Sequence, residues 1–426
     1  MGPEVVSPSV SINFADPVVN REPWAELARV RELGPVVYNS ASDVWMVARF
    51  GPARTVLRDG ERFDQDTETM LRAVGGQHLT TLRPPMHTAV RDVFRHEFER
   101  GTLERWEAMV TTEVHGLIDP LFARVRAGET VDLVPDGIHR IPAAVISGML
   151  GLAGSRAGDR FRDWINGILG IMNASVEADP GRRRELHERG AEAQAEALEF
   201  CGEMLNARRG EPEATDLIRL LVTSDIAEPP TDPDDIRRGA EIDHLTERDL
   251  QAQVAQLVIA AQDNTANMMS AATVYLARYP EVREAIYEDR SLMPQAIDEI
   301  LRHHGSIMVT PRLVREGGAE IEGIEIPEGA RVWALNGAAN RDPDRWEDPD
   351  RFDVYREPKA NLAFGFGVHN CIGINLAKLE LRVYLTRLLD LVGEFELAAE
   401  EIDYGSVFFT RGPQAVPIKS TTKGAV

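Results

Sequence analysis

The stretch Phe364-Gly365-Phe366-Gly367-Val368-His369-Asn370-Cys371-Ile372-Gly373 places one of only two cysteines among three glycines, directly ahead of a helical pattern. A cysteine at a helix N-terminus meets the positive end of the macrodipole and free N–H groups, which favour the thiolate. These residue types suit a sulfur ligand carried on a tight loop. Gly365 and Gly367 permit positive φ and a close approach of the backbone to something flat and bulky, while Gly373 lets the next helix come near. Neither Cys371 nor His369 has a C-x-x-C or H-x-x-x-H companion, so a zinc site or a disulfide framework is not indicated. Cys201, within Leu198-Glu199-Phe200-Cys201, reads as a small buried hydrophobe.

Three further groups of polar residues have spacings that could do chemistry. His87 and Arg91 follow Pro84-Pro85 and fall on one helical face at i, i+4, a pattern that also fits a solvated surface pair. In Leu257-Val258-Ile259-Ala260-Ala261-Gln262-Asp263-Asn264-Thr265 an apolar run ends in small residues and turns abruptly polar. Small side chains there would let a planar ligand lie against the helix; a polar patch at a helix crossing is the alternative. Glu299 and Arg302, at i, i+3, can pair.

Several elements must position these groups. Thr246-Glu247-Arg248-Asp249 looks like a capping box, and helical pattern runs from it to Arg278 before Pro280, roughly 50 Å at ~1.5 Å per residue. A helix beginning near Pro294 carries Glu299, and Leu376, Leu379, Val383 and Leu388 keep helical spacing behind Cys371. Residues 103–222 are mostly helical in period, with breaks at Gly and Pro clusters; Arg182-Arg183-Arg184 reads as a solvated helix start. Short strands are expected at Val36–Tyr38, Val44–Val47, Ile307–Val314, Glu320–Pro327, Ala330–Leu335 and near Val407-Phe408-Phe409. The span from Phe63 to Leu82 lacks clear period and reads as a long loop.

Lys+Arg of 47 against Asp+Glu of 69 leaves a net charge of −22, which disfavours nucleic acid and anionic membrane as partners. No stretch reaches the ~18 apolar residues of a membrane span, and Met1–Ala15 has neither a basic start nor an apolar run of signal length. Two distant cysteines suit a reducing cytoplasm.

The loop at Phe364–Gly373 resembles the haem-binding loop of the cytochromes P450, F-G-x-G-x-H-x-C-x-G, at every fixed position. Pro84-Pro85-Met86-His87-Thr88-Ala89-Val90-Arg91, Glu299-Ile300-Leu301-Arg302 and Pro349-Asp350-Arg351-Phe352 resemble other segments of that family, in its order. The resemblance implies a mainly α, single-domain fold with small β-sheets and a long central helix over haem b, spanning 16–426 behind a flexible segment 1–15. It implies Cys371 as the axial thiolate on iron, with Phe364, Gly365 and Gly373 shaping the loop. His87, Arg91, Arg312 and His369 become propionate partners, and Glu299, Arg302 and Arg351 a structural ion network. Ala260, Ala261, Met308, Val309, Phe408, Phe409 and the Phe63–Leu82 loop are the expected substrate contacts.

One position departs from the family pattern. Aligned on Ala260-Ala261-Gln262-Asp263, the first of two expected threonines is Asn264, and only the second, Thr265, is present. That first alcohol helps steady dioxygen in the family, and Thr265 is turned ~100° away on the helix. The expectation is that Asn264, an ordered water or a polar substrate group takes its place, with Asp263 relaying protons. The implied reaction oxidises a small, largely apolar organic substrate with O2 and two electrons, by hydroxylation or a related step such as O-dealkylation. Beside a domain of the family's size, 426 residues would leave no room for an attached flavin reductase, so the expectation is a ferredoxin-type donor with its own reductase, docking on the cysteine side over a local basic patch. The rival readings are a peroxide-driven or non-oxygenating haem-thiolate enzyme and a non-catalytic haem or small-molecule binder.

Overall fold

In the computed structural model, residues 7–14, 16–65, 73–152, 157–174, 179–226, 244–405 and 408–421 are described. Thr246 Oγ1 accepts from the Asp249 N–H and Asp249 Oδ2 accepts from the Thr246 N–H, and this reciprocal cap starts the helix Glu247–Arg278. Tyr279 and Pro280 end it, as the restriction before proline requires. Three helices, Arg140–Met149, Pro180–Arg209 and Ile374–Leu391, lie against this central helix, and Arg100–Arg126 packs on the last of them. Their apolar stripes form one core that includes Phe94, Val114, Phe122, Ile141, Leu205 and Leu385. Asp179 caps Pro180–Arg209 through the Arg182 N–H, which puts the arginine run in an exposed first turn. Cys201 is buried on that helix, and burial pushes its thiol up to about 12.

The β structure is small. A six-stranded sheet has the order Ser9–Val10, Val37–Asn39, Val44–Val47, Arg331–Ala334, Thr310–Val314, Phe63–Gln65. Phe395–Leu397, Pro417–Ser420 and Val131–Asp132 make a second sheet, and Ala319–Ile321 with Ile324–Ile326 a hairpin. Within the segment expected to be flexible, Ser9–Val10 is instead a strand paired with Tyr38–Asn39, and Ile12 and Phe14 are buried against Leu27, Val30 and Trp333. Apolar burial orders that stretch where composition alone suggested a loose end.

The Phe63–Leu82 span is only partly loop. Phe63–Gln65 is an edge strand, residues 66–72 lie outside the described residues, and 75–79 are latched to the central helix. Arg248 Nε donates to the Gly75 carbonyl (2.6 Å), the Gln77 N–H to Asp249 Oδ1 (2.7 Å), and the Leu79 N–H to Gln253 Oε1 (2.8 Å). Among the described residues no helix is long and apolar enough to cross a membrane.

Candidate active site

Gly365 and Gly367 adopt φ of +70° and +80°, a region open to glycine and strained for other residues. A Cβ at Gly367 would also lie 2.7 Å from the Leu57 carbonyl oxygen, so the loop can press against its neighbour only without a side chain. The Cys371 N–H closes the loop on the Phe364 carbonyl (3.0 Å). Gly373 is the N-cap of Ile374–Leu391, and its N–H points at the Cys371 sulfur. Burial pushes the thiol pKa up, while the Gly373 N–H and the Arg91 guanidinium act in the other direction. A Cβ at Gly373 would meet nothing nearer than that sulfur, at 3.8 Å, so the expected close approach of the helix is not what the structure shows at this glycine.

Arg91 and His87 both lie on the helix Met86–Arg95. Arg91 Nη1 donates to the Asn370 carbonyl (2.8 Å) and so holds the cysteine loop from outside it. The His87 ring meets the His369 ring edge-on at 4.3 Å. His87 Nε2 is buried and has no hydrogen-bond partner among the described residues. Burial, then the Arg91 charge, lowers the His87 pKa to about 4, and burial lowers that of His369 to about 3 with help from His87, Arg312 and Arg91. Arg312 stands on Thr310–Val314 opposite Gln65, whose Oε1 it contacts at 2.9 Å. It is buried with no carboxylate in ion-pair reach among the described residues, and burial lowers its pKa to about 10. Arg312 and His369 line one cavity of about 530 Å³ with Gln77, Thr81 and Met86. A lone buried cation and an orphaned imidazole nitrogen fit the carboxylates of the haem that the sequence resemblance implies.

The central helix is buried on either side of its middle, yet Ala260 is exposed and Ile259, Ala261, Asp263 and Asn264 are half-buried. A helix deep in a protein shows such accessibility only where it lines an opening. Thr265 is buried and turned from it. Asp263 accepts from Asn267 Nδ2 (3.1 Å) and from the Thr410 hydroxyl; burial raises its pKa, and these two bonds partly offset the rise. The Ser306 hydroxyl donates to Asn264 Oδ1 at 3.2 Å. Asn267 in turn sits over Gly412, where a Cβ would lie only 2.1 Å from its Oδ1.

Glu299 and Arg302 form the expected pair, with two bonds of 2.7 and 2.8 Å. The third guanidinium belongs to Arg356, at 3.3 Å from Glu299 Oε1, and not to Arg351. Arg351 contributes only its carbonyl, accepting from both Arg302 and Arg356, while its side chain is 67% exposed beside Asp353. A turn closed by the Arg351 N–H on the Asp348 carbonyl points the backbone inward and the side chain out.

The expected substrate contacts at 308–309 and 408–409 pack into a core instead. Met308, Val309 and Phe408 are buried in the small core beside the sheet; Phe408 stacks on Phe14 at 4.1 Å, and Phe409 meets Trp333 edge-on at 5.1 Å. The Met308 N–H bonds the Phe409 carbonyl and Ile307 bridges Thr410, so alternation puts Met308 and Phe409 on one face and the half-exposed Ile307 and Thr410 on the other. Sequence reasoning missed Ser306, Thr410 and Arg356. Only the two-residue period of the paired segments could have pointed to Thr410.

On the cysteine side, Phe364, Phe366, Asn370, Lys359 and Lys378 border a surface groove of about 370 Å³. Lys378 pairs with Asp298 there (2.5 Å), and Val368 is exposed on the loop itself.

A family model described as Cytochrome P450 matches residues 45–401. Cytochrome P450 107B1 of Saccharopolyspora erythraea is 31% identical, covering 88% of this chain and 89% of its own. The 6-deoxyerythronolide B hydroxylase of the same organism is 30% identical, over 93% and 95%. The solved structure of the cytochrome P450 enzyme CYP109B1 from Bacillus subtilis superposes with a TM-score of 0.79 at 26% identity, over 94% of this chain and 100% of that one.

Proposed function

The chain belongs to the cytochrome P450 family, and from that premise we propose that this monooxygenase oxidises a small, largely apolar organic molecule by hydroxylation or a related reaction such as O-dealkylation. When bound, the haem supplies the oxygen chemistry: one atom of O2 enters the substrate and the other leaves as water, at the cost of two electrons and two protons. The chain's own residues do the rest. Cys371 is the sulfur ligand, assisted by the Gly373 N–H and the Arg91 charge. Arg312, His87 and His369 hold the carboxylates. Asp263, tethered by Asn267 and Thr410 and raised in pKa, is placed to take up a proton and release it toward the opening beside Ala260. Hydroxylation is favoured by the relative named as a hydroxylase.

A ferredoxin-type donor with its reductase would deliver the electrons in the cytoplasm. Lys359, Lys378 and the exposed Val368 beside the cysteine loop support docking there, and two unpaired cysteines suit a reducing compartment. The observation that carries the reading is the Cys371 sulfur on its glycine loop, capped by an N–H and flanked by Arg91. The expected result is a thiolate-type Soret band in the reduced, carbon-monoxide-bound protein that disappears in Cys371→Ala. A band that survives this substitution would end the reading, and turnover with peroxide but not with reduced ferredoxin would favour a peroxide-driven enzyme.

A further inference from the structure

Asn264 interrupts the small-residue stretch that faces the opening, and Ser306 lies behind it. Ser306 is fully buried, and its carbonyl already accepts from the Arg411 N–H at 2.7 Å. Its hydroxyl makes one hydrogen bond among the described residues, to the Asn264 side chain. A hydroxyl carries one hydrogen. If the amide were reversed, Nδ2 would donate to Ser306 and the buried Ser306 hydrogen would have no acceptor, a penalty that the observed arrangement avoids. Ser306 therefore fixes the amide with Oδ1 inward and the NH2 group toward the open side of the helix.

The acceptor next to that NH2 is already engaged. Asp263 is held by Asn267 and Thr410, and Thr265 is buried on another face. Asn264 Nδ2 has no partner among the described residues, and Asn264 shares its face with exposed Ala260, one turn earlier. We propose that Asn264, oriented by Ser306, is a specificity-determining donor: the preferred substrate carries a hydrogen-bond acceptor, a carbonyl or ether oxygen, on an otherwise apolar frame. Ser306 is the positioning residue, acting only through Asn264. The inference rests on the monooxygenase reading and narrows its substrate class.

The test uses the haem-replete protein and probes that match in shape: the cyclic ketones from cyclooctanone to cyclododecanone, each against its exocyclic-methylene analogue. Calorimetric dissociation constants should favour the ketone by about fivefold to tenfold, the worth of one hydrogen bond. The preference should vanish in Asn264→Leu and in Asn264→Asp, whose carboxylate presents no donor, and should shrink in Ser306→Ala. Equal affinity for the members of each pair in the parent protein, or a ratio unchanged in both Asn264→Leu and Ser306→Ala, would overturn it. The carbon-monoxide spectrum of each preparation separates the two levels: a thiolate band with equal affinities defeats the donor role alone, whereas its absence from the parent protein defeats the reading beneath it.

Discussion

Glu380 lies in the helix that follows Cys371, buried, with Oε2 lacking a hydrogen-bond partner among the described residues. Glu299 is buried too, but two guanidinium groups and the Asp353 N–H surround it. Burial without such partners pushes the Glu380 carboxyl well above its usual pKa. The folded chain then retains a proton that the unfolded chain has released, so stability falls as pH rises from the ordinary carboxylate range toward the folded pKa. Glu380→Gln removes the titration and keeps the shape. Its benefit in thermal melting should be near zero at about pH 4 and grow to ~1–3 kcal/mol in alkaline buffer. A benefit of equal size at every pH would contradict this account.

The central helix and the segment Phe408–Gly412 act as one element at the site. Gly412 admits the Asn267 side chain, and Asn267 donates to Asp263. Gly412→Ala must displace a buried amide, so it should cost about 1–3 kcal/mol in denaturant unfolding. It should also slow proton-dependent turnover and change the solvent isotope effect, because Asp263 loses one of its two tethers. Local chemistry made much of this scale legible in sequence: Thr246 and Asp249 announce the helix start, Pro280 its end, and the glycines of the cysteine loop their positive φ. The facing of short strands was not legible. Whether Met308 or Ile307 meets the opening depends on a pairing with residues about a hundred positions later, and a shift of one residue exchanges the two faces. The same limit hid Ser306 and Thr410, and a turn of the chain exchanged Arg351 for Arg356.

At the scale of the molecule, a net charge of −22 coexists with basic side chains gathered inside. Arg341, Arg411, His303 and His304 are all buried between the central helix, the Met293–His303 helix and the C-terminal segment, with Arg411 over the Tyr404 ring at 3.6 Å. Burial and the Arg341 charge lower the His303 pKa to about 3; burial and Arg411 take His304 well below its usual value. These histidines stay neutral when folded and gain protons when unfolded, so stability is lost as pH falls from about 6.5 toward 3. The melting temperature should decline across that window, and His303→Gln should make the decline shallower; an unchanged slope would count against the assignment. The positive charge also has an uneven chemical identity. Only Lys359, Lys378, Lys419 and Lys423 are lysines among 47 basic residues, and the first two border the groove beside the cysteine loop. Amine-selective reagents thus have few addresses on this chain, and a cross-linker that joins its amines to the carboxylates of an electron carrier would mark the docking face without any engineered handle.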